Sequence, residues 1–135
     1  MMPTQLVMGF DYGLRRIGVA VGQRLTGTAS PIAIVGARDG IPAWDRIEKL
    51  IAEWHPVCLV VGLPLNMDGS RSEMTQRAEK FSRRLKGRFN LPVETIDERL
   101  SSREARDLSG RDDSLDAIAA VVILQSWLGA NGGEC

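Results

Sequence analysis

Apolar residues run from Leu6 to Phe10 and stop at a carboxylate, Asp11; Gly13 follows, and apolar character resumes from Ile17 to Val21. This pattern predicts strand, tight turn, strand, with an acid at the mouth of the turn. A third apolar segment, Pro31 to Val35, begins after Thr28-Ala29-Ser30. Short connections of this kind predict antiparallel pairing of the three strands. Asp39-Gly40 then reads as a helix entrance, with Pro42 suited to the first turn. Trp44, Ile47, Ile51 and Trp54 recur at helical spacing and give that helix one apolar face, and His55-Pro56 ends it. The tryptophans on this stripe are read as core residues, and the lone His55 as a helix-end residue.

Val57 to Val61 is continuously apolar, as expected of an interior strand buried on both faces. The turn-rich loop Gly62 to Ser70 follows its carboxyl end, where open α/β sheets place ligands. Met74, Ala78, Phe81 and Leu85 trace an amphipathic surface helix ending near Gly87, and Leu91 to Ile96 forms the next strand. Asp97-Glu98-Arg99 stands at that strand's end. Adjacent residues of a strand face opposite sides, so only one of the two acids can readily serve a shared site. Ser101-Ser102-Arg103-Glu104 opens a short helix through Leu108, and Ser109 to Asp113 breaks it. A final helix begins near Ser114, is expected to turn Leu115, Ile118, Ala119, Val122, Ile123 and Trp127 inward, and stops at Gly129. The order β-β-β-α-β-α-β-α-α predicts one α/β domain over residues 1–135, with 129–135 as a tail.

Composition narrows the class. Hydrophobic residues make up 44% and charged residues 25%, values of a soluble globular domain, and neither a membrane span nor a signal peptide is expected. The two cysteines, Cys58 and Cys135, make no framework, so a reducing cytoplasm is expected, with Cys58 a small core residue. Lysine and arginine balance aspartate and glutamate at 17 each, so overall charge does not argue for a nucleic-acid partner. Between Arg71 and Arg106, however, ten basic residues face six acids. A solvated helix face explains that excess about as well as a phosphate-binding surface does.

Three acids stand at element ends: Asp11, Asp97 or Glu98, and Asp116 in the first turn of the last helix. Each has a bland explanation, Asp11 as a turn acceptor and Asp116 as a complement to the helix dipole. Together they suit a hard divalent cation, which takes oxygen ligands and leaves positions for water and phosphate.

Four ordered motifs sharpen this reading: Asp11-x-Gly13-x-x-Arg16-Ile17-Gly18, Val60-Val61-Gly62-Leu63-Pro64-Leu65-Asn66-Met67-Asp68-Gly69, Asp97-Glu98-Arg99, and Asp116-x-x-Ala119-Ala120. Their combination resembles the YqgF/RuvX family of RNase H-like proteins over roughly residues 7–128. The resemblance implies a ribonuclease H-like fold: a five-stranded mixed sheet, its first three strands antiparallel, flanked by helices. It implies a cytoplasmic, metal-dependent nuclease that uses Mg²⁺ or Mn²⁺ and processes the 5′ end of precursor 16S rRNA. A Holliday-junction resolvase acting on branched DNA, similar to RuvC, is the alternative. Asp11, Glu98 and Asp116 would then be the catalytic and metal-binding triad, with Asp97 in support and Gly13 and Gly18 giving the backbone room at a phosphate. Arg16, Asn66 and Arg99 would contact nucleic acid, although each also has a structural reading as an ion-pair partner, turn cap or loop brace. Ribosomal particles are an expected partner, and the chain is expected to be a monomer or homodimer. One departure from the family is the short stretch 108–114, whose sole basic residue is Arg111. Two other classes compete: an ATP-binding fold of the actin type, which would need a second such domain, and a nonenzymatic nucleic-acid or ribosome-associated factor.

Overall fold

The computed structural model of the chain describes residues 6–97 and 114–131; for 114–116 and 130–131 the description is of the backbone. Among the described residues nine elements follow in order: β1 Leu6–Asp11, β2 Arg16–Gln23, β3 Thr28–Arg38, β4 Ile41–Pro42, α1 Trp44–Trp54, β5 Cys58–Leu63, α2 Glu73–Phe89, β6 Val93–Asp97 and α3 Ser114–Asn131. They build one mixed sheet in the order β4-β3-β2-β1-β5-β6. The antiparallel β1-β2-β3 unit is present as expected, and β1, β5 and β6 run parallel. The expected helix through 101–108 lies outside the described residues.

The sheet has six strands rather than five. Asp39 and Gly40 both take positive φ, 52° and 82°, the conformation of a two-residue hairpin turn. Ile41–Pro42 therefore folds back on Ala37 and Arg38 as a short edge strand, and the helix starts at Trp44 instead of at the Asp-Gly pair. At its other end α1 closes on His55, an exposed residue in the left-handed conformation whose N–H donates to the carbonyl of Ile51.

Alternation along the strands splits the core in two. Met8 and Phe10 of β1, Tyr12 just after it, Ile17 and Val19 of β2, and Leu59 and Val61 of β5 pack against Ile47 of α1 and Ala78, Phe81 and Leu85 of α2. Val7, Ala20, Cys58 and Val60 face the other way, against Ala120, Ile123, Leu124, Trp127 and Leu128 of α3. Cys58 is fully buried, as a small core residue should be.

Helix α3 turns Ala119, Ile123 and Trp127 inward as expected, but its buried face is rotated away from Ile118 and Val122. Ala117, Ala120 and Leu124 are buried, whereas Ile118 is 41% exposed and Val122 half-buried. The sheet accounts for this rotation. A Cβ on Gly9 would lie 2.5 Å from Leu124 Cγ, and one on Gly22 would lie 3.1 Å from Leu128 Cδ1. Glycine and alanine in the strands bring the helix close, so its small residues turn toward the sheet. Among the described residues no helix is long and apolar enough to cross a membrane.

Candidate active site

The parallel strands β1, β5 and β6 end along one edge of the sheet, and Asp11, Asp97 and the loop after β5 lie at that edge. Asp11 closes β1, a strand hydrogen-bonded on both sides by β2 and β5, and this pairing fixes its backbone firmly. Its partner across the antiparallel ladder is Gly18. No side chain at position 18 crowds the carboxylate. Val7 and Gly9 meet α3, so alternation puts Asp11 on the α3 face. Gly13 serves the turn itself, because a Cβ there would come within 2.5 Å of the Arg16 carbonyl oxygen.

Helix α3 is directed toward the same edge. Leu128 lies over Gly22, opposite Val7, and Leu124 lies over Gly9. One helical turn, about 6 Å, therefore covers two strand residues, about 6.7 Å. At this pace Ala120 reaches the level of Asp11, and position 116 lies one turn further toward the helix N-terminus.

Strand β6 fixes the side to which Asp97 turns. Ile96 packs with the α3 cluster, so Asp97 faces the opposite side of the sheet from Asp11. Leu63 pairs with Asp97 and Phe10 with Val61. Asp97 thus sits at the same edge as Asp11, two strands away, a lateral separation of about 10 Å. Glu98 and Arg99 lie outside the described residues, and among the described residues no three metal-ligating side chains come together.

Arg16 opens β2, two residues beyond Gly18 and on the same face by alternation, exposed beside the Asp11 edge. Asn66 lies in the loop after β5. Its Nδ2 donates to Ser70 Oγ at 2.9 Å, while the N–H and hydroxyl of Ser70 both donate to Asp68 Oδ1, at 2.9 and 2.6 Å. The loop is fastened to α2 where Thr75 Oγ1 donates to the Pro64 carbonyl at 2.7 Å. Asn66 is exposed and helps brace this loop at the carboxyl edge. Edge position and a bracing role are compatible with a phosphate or sugar contact.

Sequence reasoning missed what lies on the other face. Tyr12, next after Asp11, is buried and donates its hydroxyl to the Gly40 carbonyl at 2.6 Å. It forms part of a groove of about 480 Å³ between the β3–β4 hairpin and α2. The Asp-Gly dipeptide between two apolar segments was the available signal for that hairpin.

The family model described as RuvX, a Holliday junction resolvase, matches residues 5–130. The chain belongs to the RuvX family. Among RuvX-family relatives, the Pseudomonas putida protein named "Putative pre-16S rRNA nuclease" is 56% identical over 140 residues, covering 97% of this chain and 99% of its own length. The protein of the same name from Pseudomonas aeruginosa PAO1 is 54% identical over 134 residues, covering 93% of each. Solved structures share the fold at low identity. RuvC of Thermus thermophilus, in complex with a Holliday junction substrate, superposes with a TM-score of 0.58 at 15% identity, covering 96% of this chain and 97% of its own. The yeast mitochondrial Holliday junction resolvase Ydc2 gives 0.54 at 10% identity, with coverages of 95% and 79%. These likenesses bear out the RNase H-like expectation for this RuvX-family chain.

Proposed function

We propose that this chain is a metal-dependent endonuclease that hydrolyses phosphodiester bonds in nucleic acid, with the 5′ end of precursor 16S rRNA as its substrate and the cytoplasm as its place of action. The observation that carries this reading is the placement of Asp11. A carboxylate on a doubly paired strand, opposite a glycine and beneath the N-terminal end of α3, is a rigid oxygen donor at an accessible edge. The name shared by relatives more than half identical supplies the substrate.

Asp11, Glu98 and Asp116 would hold Mg²⁺ or Mn²⁺, and an all-carboxylate set suits such hard cations. A bound cation of this kind supplies Lewis-acid stabilisation of charge developing on the phosphate. The chain's own residues would do the rest. Arg16 and Arg99 would neutralise and orient flanking phosphates, and Asn66 would hydrogen-bond backbone or sugar from its braced loop. Asp97 faces away from Asp11 and supports the β6 end. The amide variant Glu98→Gln should therefore weaken Mn²⁺ binding in a calorimetric titration by tenfold or more, whereas Asp97→Asn should leave it within about threefold. The reverse ranking would overturn the assignment.

A second reading, resolution of branched DNA, is favoured by the family description and by the RuvC-like fold. It would require a homodimer, because a junction presents two symmetric cleavage points. Incubating the purified protein with precursor 16S rRNA and with a four-way junction, each with Mg²⁺ or Mn²⁺, separates the two. Site-specific cleavage of the rRNA with an intact junction is the expected result; symmetric nicking of the junction alone would favour the second reading.

A further inference from the structure

We propose that the groove between α2 and the β3–β4 hairpin is a track for the nucleic-acid strand flanking the cleaved phosphate, held by contacts to its backbone. The inference rests on the nuclease reading above and extends it to the opposite face of the sheet. Helix α2 carries six basic residues against two acidic ones in a chain whose formal charge is zero. Four of the six, Arg77, Lys80, Arg83 and Arg84, line the groove, and all four are exposed. Glu73 pairs with Arg77 at 3.3 Å, which leaves Lys80, Arg83 and Arg84 to meet a ligand. A fifth cation, Arg88, stacks over the Trp44 ring at 4.4 Å and is held beyond them on the same helix.

Position and spacing favour a nucleic-acid strand over other anions. The groove includes Tyr12, one residue from Asp11, so a strand with a phosphate at Asp11 could pass over the sheet edge directly into it. From Lys80 to Arg84, which lie on one face of the helix, the helix advances about 6 Å. Two of the groove's cations are therefore spaced on the scale at which an extended strand repeats its phosphates. The Trp44 ring already engages Phe81, at 5.7 Å between centroids, and Arg88. The track consequently reads phosphates rather than bases, and its binding should be indifferent to sequence.

The test measures binding of a labelled single-stranded 20-mer, as RNA and as DNA, in EDTA over a salt series. The double variant Lys80→Glu/Arg84→Glu should weaken affinity on the order of tenfold and lower the slope of log affinity against log salt by about 1.4, the release expected for two lost single-strand phosphate contacts. Both side chains are exposed, so the melting temperature should be unchanged. Lys49→Glu, a reversal on α1 away from the groove, should leave the slope as in wild type. Wild-type affinity and slope in the double variant, or equal weakening by Lys49→Glu, would overturn the track. Because binding is read without metal, an absence of cleavage would remove the nuclease reading and leave a positive groove result standing.

Discussion

At the scale of single residues, small side chains and one hydroxyl position the edge that carries Asp11. Gly9 admits α3 to the sheet, and a Cβ there would meet Leu124 Cγ at 2.5 Å. Leu124 is fully buried and cannot swing into solvent. Gly9→Ala should therefore cost about 1–3 kcal/mol in chemical denaturation, as overpacked cores do. Adding Leu124→Ala should show positive coupling, a double-variant loss smaller than the sum of the two. On the opposite face, Tyr12→Phe removes the 2.6 Å bond to the Gly40 carbonyl and should cost about 1 kcal/mol. The placement of Asp11 and Asp97 was partly legible from sequence, since strand alternation already implied that adjacent acids face opposite sides. The face that Asp97 takes follows from Ile96, whose packing against α3 fixes the phase of β6.

Among the elements, those with one apolar stripe were readable and those without were not. Helices α1 and α2 follow their stripes closely, although α2 runs to Phe89 and closes on Asn90 in the left-handed conformation, two residues beyond the expected stop. Helix α3 is apolar nearly all round, so periodicity could not choose its buried face; the glycines of β1 and β2 did. The β4 hairpin was lost because Asp-Gly serves both helix entrances and hairpin turns, and the positive φ at Asp39 decides for the turn. The start of α2 shows how an element end supports the site. Ser72 Oγ accepts from the Thr75 N–H while Thr75 Oγ1 accepts from the Ser72 N–H, and Thr75 Oγ1 also reaches Pro64. Ser72→Ala should lower stability by about 1 kcal/mol. Hydrogen exchange should rise in residues 64–72 more than in β1; equal change in both would show that the cap does not brace the loop.

For the molecule as a whole, the proposed function rests on what the topology carries to one edge. The parallel strands carry positions 11 and 97 to one edge of the sheet, and α3 begins at Ser114 and descends over Gly9 and Gly22. Sequence spacing alone could not give that common edge; the register of β1 with β5 and of β5 with β6 does, although among the described residues no three metal-ligating side chains come together. Neutral net charge likewise concealed a strongly basic α2, because balancing acids lie elsewhere in the chain. The most direct test of the central claim is the rate of precursor 16S rRNA cleavage in Mg²⁺ by wild type and Asp11→Asn, with binding of the same RNA measured in parallel. Cleavage should fall at least about a hundredfold while affinity stays within a few-fold; cleavage by Asp11→Asn at the wild-type rate would contradict a catalytic centre at Asp11.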